Sequence, residues 1–241
     1  MEIIGVKTPL FKAGDDLTQF IIKNIPPLRE GSVVVVTSKI VALAEGRLAP
    51  LSAKETIIRG ESKEVIKTPY GFLTLTKDGW CVNAGVDESN AKDGLILLPL
   101  DAFQSAEVLC SFLRQKFKIK KLGVLITDTK SVPLRVGTVG RALGFSGFQP
   151  LRSYINKRDL FGRKSRFTES NLADALAAAA VLVMGEGSER IPLAVISEAP
   201  VTFVGASNRQ TTKLSLPPQL DIFRHVFAWA SSLRAKKKSK R

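Results

Sequence analysis

Histidine and cysteine are almost missing from this sequence: His225, Cys81 and Cys110 are the whole supply in 241 residues. The two cysteines stand far apart with no neighbouring Cys or His, which excludes a zinc knuckle, a CxxC redox pair and a multi-histidine metal centre. Both thiols are expected to behave as small buried apolar groups. His225, near the end of an apolar helix, is expected to pack or face solvent, not to catalyse. Any metal must therefore be hard and held by oxygen, which leaves Mg²⁺ or Mn²⁺. No apolar run approaches the ~18 residues that span a bilayer, and Met1–Lys7 has no apolar signal segment behind a basic start. The expectation is a soluble, cytoplasmic protein with no membrane partner. Also absent are G-x-x-x-x-G-K-[ST], G-x-G-x-x-G after a strand and G-x-S-x-G. A bound nucleotide would have to be held by another route.

What is present supports a folded body, with 44% hydrophobic residues, and a strongly basic balance of 36 Lys plus Arg against 22 Asp plus Glu, a formal net charge of +14. Six of those surplus charges lie in the last eight residues, Arg234 to Arg241, which contain no acid. Such a run repels itself and is expected to be a disordered basic tail, 234–241. Ahead of it, Ile222, Val226, Trp229 and Leu233 recur at helical spacing and predict a helix over 220–233. The Thr-rich, Pro217-Pro218 stretch over 207–219 reads as a linker, leaving 1–206 as the main domain, with room for two subdomains.

Within that domain, β-branched and apolar runs at Val33–Thr37, Leu122–Thr127 and Leu193–Ile196 predict central strands buried on both faces. Gly14-Asp15-Asp16 opens a helix through Phe20 and Ile21. Ala102–Phe117 sets Phe103, Ala106, Leu109, Cys110, Leu113 and Phe117 on one face. An Ala-rich helix runs from about Ser170, capped by Ser or Asn, to Met184, and Gly185 stops it. Gly71–Thr76 and Trp80–Asn83 flank an Asp-Gly turn and predict a hairpin. The pattern is α+β, mixed sheets with flanking helices, without the strict alternation of a doubly wound fold.

Three carboxylates sit where chemistry is possible. Asp128 directly follows an apolar strand, so its carboxylate is expected to emerge at the strand's carboxyl end, between the hydroxyls of Thr127 and Thr129. In Asn83-Ala84-Gly85-Val86-Asp87-Glu88-Ser89-Asn90, small residues let the backbone approach a ligand, and Asp87 and Asn90 share one side of a turn. Glu186 lies between Gly185 and Gly187. Three acids from three distant segments suit an octahedral divalent cation that also takes phosphate oxygens. Each has a plainer reading, as an N-cap, a turn former or a helix C-cap. The stretch holding Arg135, Arg141, Arg152, Lys157, Arg158, Arg163, Lys164 and Arg166 is a candidate anion surface, with nucleic-acid backbone as the runner-up ligand. It lacks the interleaved aromatics of a base-stacking platform.

Six blocks in the chain carry a resemblance: Pro9-Leu10-Phe11-Lys12-Ala13-Gly14-Asp15-Asp16-Leu17, Ala44-Glu45-Gly46-Arg47, Val82 to Asn90, Ile126-Thr127-Asp128-Thr129, Asp159-Leu160-Phe161-Gly162-Arg163 and Met184-Gly185-Glu186-Gly187. They occur in the same order as in the coenzyme F-420:L-glutamate ligases, and the chain resembles that γ-glutamyl ligase family from about Gly5 to Val204. The resemblance implies a gamma-glutamyl ligase-like fold and an interlocked homodimer. It implies a ligase that uses GTP and Mg²⁺ or Mn²⁺ to add L-glutamate to the carboxylate of a small anionic acceptor of the deazaflavin type, through an acyl phosphate. A tetrahydrofolate acceptor is a second reading, and an inactive ligase-fold protein binding RNA through the basic tail a third. Carried over by residue, Asp87 and Asp128 would be catalytic and hold one metal ion, with Thr129 and Glu186 at a second. Pro9, Leu10, Phe11, Ser38, Asn90, Gly185, Gly187 and Ser188 would bind the nucleotide, and Arg135 and Arg163 the substrate anion. The chain departs from the family pattern in having Ala42-Leu43 where Ser-Lys is usual and Lys130-Ser131 after Thr129.

Overall fold

A computed structural model of the chain describes residues 1–89, 91, 94–207, 214, 216–217 and 219–226. The chain divides into two compact units, Met1–Thr211 and Thr212–Arg241. In the second, Asp221 accepts a hydrogen bond from the Phe223 amide, and helical geometry begins at Arg224. His225 is exposed there. The rest of the helix expected over 220–233, the basic tail and most of the linker lie outside the described residues.

The first unit begins with β1 (Glu2–Val6), α1 (Leu17–Asn24), β2 (Ser32–Thr37), α2 (Ser38–Ala44), β3 (Leu48–Ala49) and α3 (Lys54–Gly60). An antiparallel sheet follows, of β4 (Glu64–Thr68), β5 (Gly71–Thr76) and β6 (Gly79–Val82), and β7 (Leu95–Ile96) pairs with β3. The remaining elements are α4 (Ala102–Phe117), β8 (Leu122–Ser131), β9 (Thr138–Ser146), β10 (Leu151–Ser153), β11 (Glu169–Asn171), α5 (Leu172–Met184) and β12 (Leu193–Ser197). The main sheet has the order β1-β12-β2-β8-β9. Only β2 and β8 run parallel; its other neighbours are antiparallel. The mixed α+β expectation holds.

The three β-branched runs are interior strands of that sheet, because each needs cover on both faces. Val34, Val36, Val124 and Ile126 share a core with Ala106, Leu109, Cys110 and Leu113 of α4 and Ile21 of α1. Val33 and Val35, alternating to the other side, are equally buried, and α5 packs against β1, β8, β9 and β12. Arg114 of α4 ties the start of β8 to the turn after β9 and to the segment after β12, donating to the carbonyls of Leu122, Gly147 and Val204. A second small core of Ile58, Ala84, Val86, Leu95 and Leu97 lies with Phe72 of the three-stranded sheet. Among the described residues no helix is long and apolar enough to cross a membrane.

Local signals placed several elements closely. Asp16 caps α1, its Oδ1 accepting from the amides of Thr18 and Gln19. α4 runs over Ala102–Phe117 as its apolar face predicts. Other expectations need correction. Ser170 belongs to β11, paired with Arg152, so of the two expected caps Asn171 is the one used, its Oδ1 accepting from the Asp174 amide, and the Ala-rich helix starts at Leu172. The second hairpin strand ends at Val82, because Asn83, Ala84 and Gly85 all take positive φ and turn the chain away. Cys81 is half-buried in β6 instead of buried, while Cys110 is buried.

Candidate active site

The parallel pair β2–β8 ends at Thr37 and Thr127, and three connections meet beyond that edge. α2 begins there directly. The loop before β12 is pinned to the loop after β1, with the Thr8 amide donating to the Arg190 carbonyl at 3.0 Å, and to the end of β2, with the Thr37 amide donating to the Pro192 carbonyl at 3.0 Å. Gly185, at φ 79°, ends α5 in a conformation only glycine takes cheaply and sends Glu186 and Gly187 toward the same place. The result is an open cleft of ≈ 390 Å³ at the carboxyl end of parallel strands, the usual ligand position in such sheets.

β8 does not stop at Thr127. It continues through Asp128 to Ser131, because β9 supplies ladder bonds after β2 has ended, with a register shift at Ile126/Thr127. Asp128 is therefore a strand residue paired with Arg141, not the first residue of a loop. Its carboxylate opens into the cleft with 24% of the side chain exposed. Burial pushes its pKa up, and the attraction of Arg141 and the Thr129 amide offsets this only in part; Asp87 adds repulsion. Ser38, buried at the start of α2, donates to Asp128 Oδ1 at 3.4 Å.

Glu186 is also raised, first by burial and further by Asp128, although Thr129 Oγ1 donates to its Oε2 at 3.3 Å. Asp87 differs. Burial acts to raise it, but hydrogen bonds from Lys39 and the Ser89 amide, with the Lys39 charge, hold it below the usual carboxylate range. Lys39 Nζ lies 2.8 Å from Asp87 Oδ2. Among the described residues these carboxylates do not close into a three-ligand metal cluster.

Arg141 is the other departure from the sequence expectation. The dense basic stretch is expected to form one cationic surface, yet Arg141 is only 6% exposed and its Nη2 lies 4.0 Å from Asp128 Oδ2. Its Nη1 donates to the Asp78 carbonyl at 3.2 Å, while Nε and Nη2 find no hydrogen-bond partner among the described residues. Burial follows from strand alternation: the register that sets Arg141 opposite Asp128 turns its side chain into the protein.

The cleft gathers Pro9, Leu10, Phe11, Asp87, Asp128, Thr129, Gly185, Glu186, Gly187 and Ser188 from the sequence candidates. Ser38 lies behind it, bonded to Asp128. Arg135 and Arg163 are exposed and are not among its lining residues, and Asn90 lies outside the described residues. Lys39, four residues before Leu43 and the candidate to replace the lysine that the family carries there, also lines the cleft, at the opening of the helix that follows β2. The special position of Arg141 has no signal in the local sequence.

A mixed-sheet α+β body with an acidic, glycine-framed cleft at its strand ends, and no P-loop in its sequence, stands apart from the common nucleotide folds. The family model described as F420-0:Gamma-glutamyl ligase matches residues 5–198. Coenzyme F420:L-glutamate ligase of Methanothermobacter thermautotrophicus is 37% identical over 251 residues, covering 93% of this chain and 99% of its own length. The protein of that name from Methanocaldococcus jannaschii is 34% identical over 246 residues, 93% and 97% of the two chains. That from Archaeoglobus fulgidus is 39% identical over 209 residues, 78% and 83%. The chain belongs to the F420-0:gamma-glutamyl ligase family.

Proposed function

We propose that the protein is a γ-glutamyl ligase that uses GTP and a divalent cation to join L-glutamate to the carboxylate of a deazaflavin acceptor of the F420-0 type. The observation that carries this reading is the convergence of Asp87, Asp128, Thr129 and Glu186 with the Gly185–Gly187 loop on one cleft, in a chain of this family. The donor set fits a hard dication, since it offers carboxylate and hydroxyl oxygen with neither sulfur nor imidazole. Burial first, and repulsion from neighbouring acids after it, raises the Asp128 and Glu186 carboxyls, a cost that a bound dication would offset. Asp87 and Asp128 would hold one Mg²⁺ or Mn²⁺, and Thr129 and Glu186 a second. Bound there, the cations would neutralise triphosphate charge and polarise the transferring phosphorus.

The chain's own residues do the rest. Pro9 to Phe11 and the Gly185–Ser188 turn frame the nucleotide, with Ser38 and Asn90 assigned to it only by the family resemblance. The acceptor carboxylate attacks the γ-phosphorus and the bond to GDP breaks, giving an acyl phosphate. The glutamate amine then attacks the acyl carbon, phosphate leaves, and the amine proton passes to solvent. Leu10, Ile40, Leu43, Val181 and Met184 form an apolar wall that limits hydrolysis of the acyl phosphate. No protein nucleophile is needed, consistent with a cleft free of Ser–His or Cys–His pairs among the described residues. The net positive charge of the chain steers three anionic reactants inward.

The same reading carries a homodimer. The β8–β9 tip leaves Leu134 and Val136 wholly exposed, and the 155–167 segment does the same for Leu160, Phe161 and Phe167. Exposed apolar groups on two arms support burial against a second copy.

The test is incubation with GTP, Mn²⁺, glutamate and a deazaflavin acceptor, followed by mass spectrometry. Glutamylated acceptor and GDP are expected; a tetrahydrofolate acceptor glutamylated in its place, or no product, overturns the reading. Asp128→Asn should abolish this turnover while keeping cooperative unfolding, and wild-type turnover in that variant would remove Asp128 from the cation site.

A further inference from the structure

Lys39, the second residue of α2, spans the cleft to a segment 50 residues away in sequence. Its Nζ lies 2.8 Å from Asp87 Oδ2, 2.7 Å from Ser89 Oγ and 3.3 Å from the Ser89 carbonyl. One positive nitrogen thus sits among a carboxylate, a hydroxyl and a carbonyl, the oxygen types a hard dication selects. Asp87 is oriented for it, because the Ser89 amide holds its Oδ1 at 2.7 Å and Ser89 Oγ its Oδ2 at 3.0 Å. The other carboxylates have no equivalent. Asp128 faces Arg141 only at 4.0 Å, and Glu186 has the Thr129 hydroxyl but no ion pair among the described residues. The ammonium of Lys39 is therefore in contact with one acid of the three, and acts on Glu186 only by charge.

We propose that Lys39 is the resident counter-ion of Asp87, occupying the place a divalent cation takes, so that loading the site is an exchange of ammonium for metal. This rests on the reading of Asp87 as a cation ligand given above. With Lys39 on Asp87, the cleft holds its acids without bound metal at reduced mutual repulsion. When the dication enters, the ammonium leaves Asp87 and its charge turns to the cleft as the polyanionic substrate arrives. Lys39 acts on metal binding as a competitor and on anion binding as a helper, and the two effects have opposite signs.

The experiment uses the full chain, titrated with MnCl₂ alone and followed by calorimetry and by the free-Mn²⁺ electron paramagnetic resonance signal. Lys39→Met is expected to bind Mn²⁺ about tenfold more tightly than wild type, the order of effect of removing one competing unit charge at contact distance. With Mn²⁺ present, the same variant is expected to bind GTP more weakly. Lys39→Arg, which keeps the charge, is expected to match wild type for Mn²⁺. Arg190→Gln removes another charge from the cleft lining without an ion pair to Asp87, and is expected to shift Mn²⁺ affinity by no more than about twofold. If Lys39→Met does not fold, Lys39→Gln is read in the same way. Unchanged or weaker Mn²⁺ binding in the neutral variant overturns the exchange, as does equal tightening by Arg190→Gln. Absence of Mn²⁺ binding by the wild-type protein overturns the cation reading itself, and the exchange with it.

Discussion

Asp128 and Asp87 face the same cleft with opposite electrostatic outcomes. Burial dominates at Asp128 and outweighs Arg141, so the fold favours its neutral form. Its contribution to stability is complete below its ordinary value in the unfolded chain and is lost as pH rises through the raised value in the fold. Metal-free Asp128→Asn should therefore melt above wild type at neutral pH, by a few degrees, the scale that about 1 kcal/mol gives in a domain of this size. The gap should close as pH falls below the ordinary carboxylate range, and thermal unfolding in chelator across pH measures it. A lower melting temperature for the variant at neutral pH would show that Arg141 needs the charge more than burial resists it. Asp87, held down chiefly by Lys39 and Ser89 against its burial, contributes stability above its ordinary value and loses it as pH falls through the lowered one. Stability given up at Asp128 is the kind of cost that functional clefts carry.

Secondary-structure elements here approach each other through missing side chains. A Cβ on Gly144 of β9 would lie 2.2 Å from the Ala102 carbonyl oxygen and 2.7 Å from the Phe103 nitrogen, at the start of α4. Both obstacles are backbone, so α4 itself would have to move. Gly144→Ala should cost about 3 kcal/mol, the upper end of ordinary overpacking, read as a lower midpoint in urea unfolding. Gly140, lower on the same strand, makes the same allowance for the Ala177 carbonyl of α5. None of this is visible in β9 as a sequence, since two glycines in a strand read as weakness, not as helix contacts. α4 was legible because its apolar period is local. The extension of β8 through Asp128 was not, because it depends on a partner strand that arrives later in the chain.

At the scale of the molecule, the exposed arms are the strongest reason to expect a partner. Sedimentation should show twice the chain mass, and Leu134→Asp with Phe161→Asp should shift it to one without loss of fold, since neither side chain supports the core of the single chain. A wild-type protein that sediments as one chain, or a double variant that still pairs, would place those apolar groups outside any self-contact. The basic tail adds charge but lies outside the described residues.

The α+β class, the three buried strands, the capped helices and the short segments that carry the cleft's acids can all be read from hydrophobic period, turn chemistry and residue type over a few neighbours. The sequence's scarcity of histidine and cysteine also decided that any metal chemistry must run on oxygen. It took the fold to show that Asp128 lies inside a strand, that Arg141 leaves the basic surface to face it, and that Lys39 reaches Asp87 and, 50 residues along the chain, Ser89. Those three facts depend on strand register and helix placement, which are set by packing between distant segments and leave no period in the local sequence.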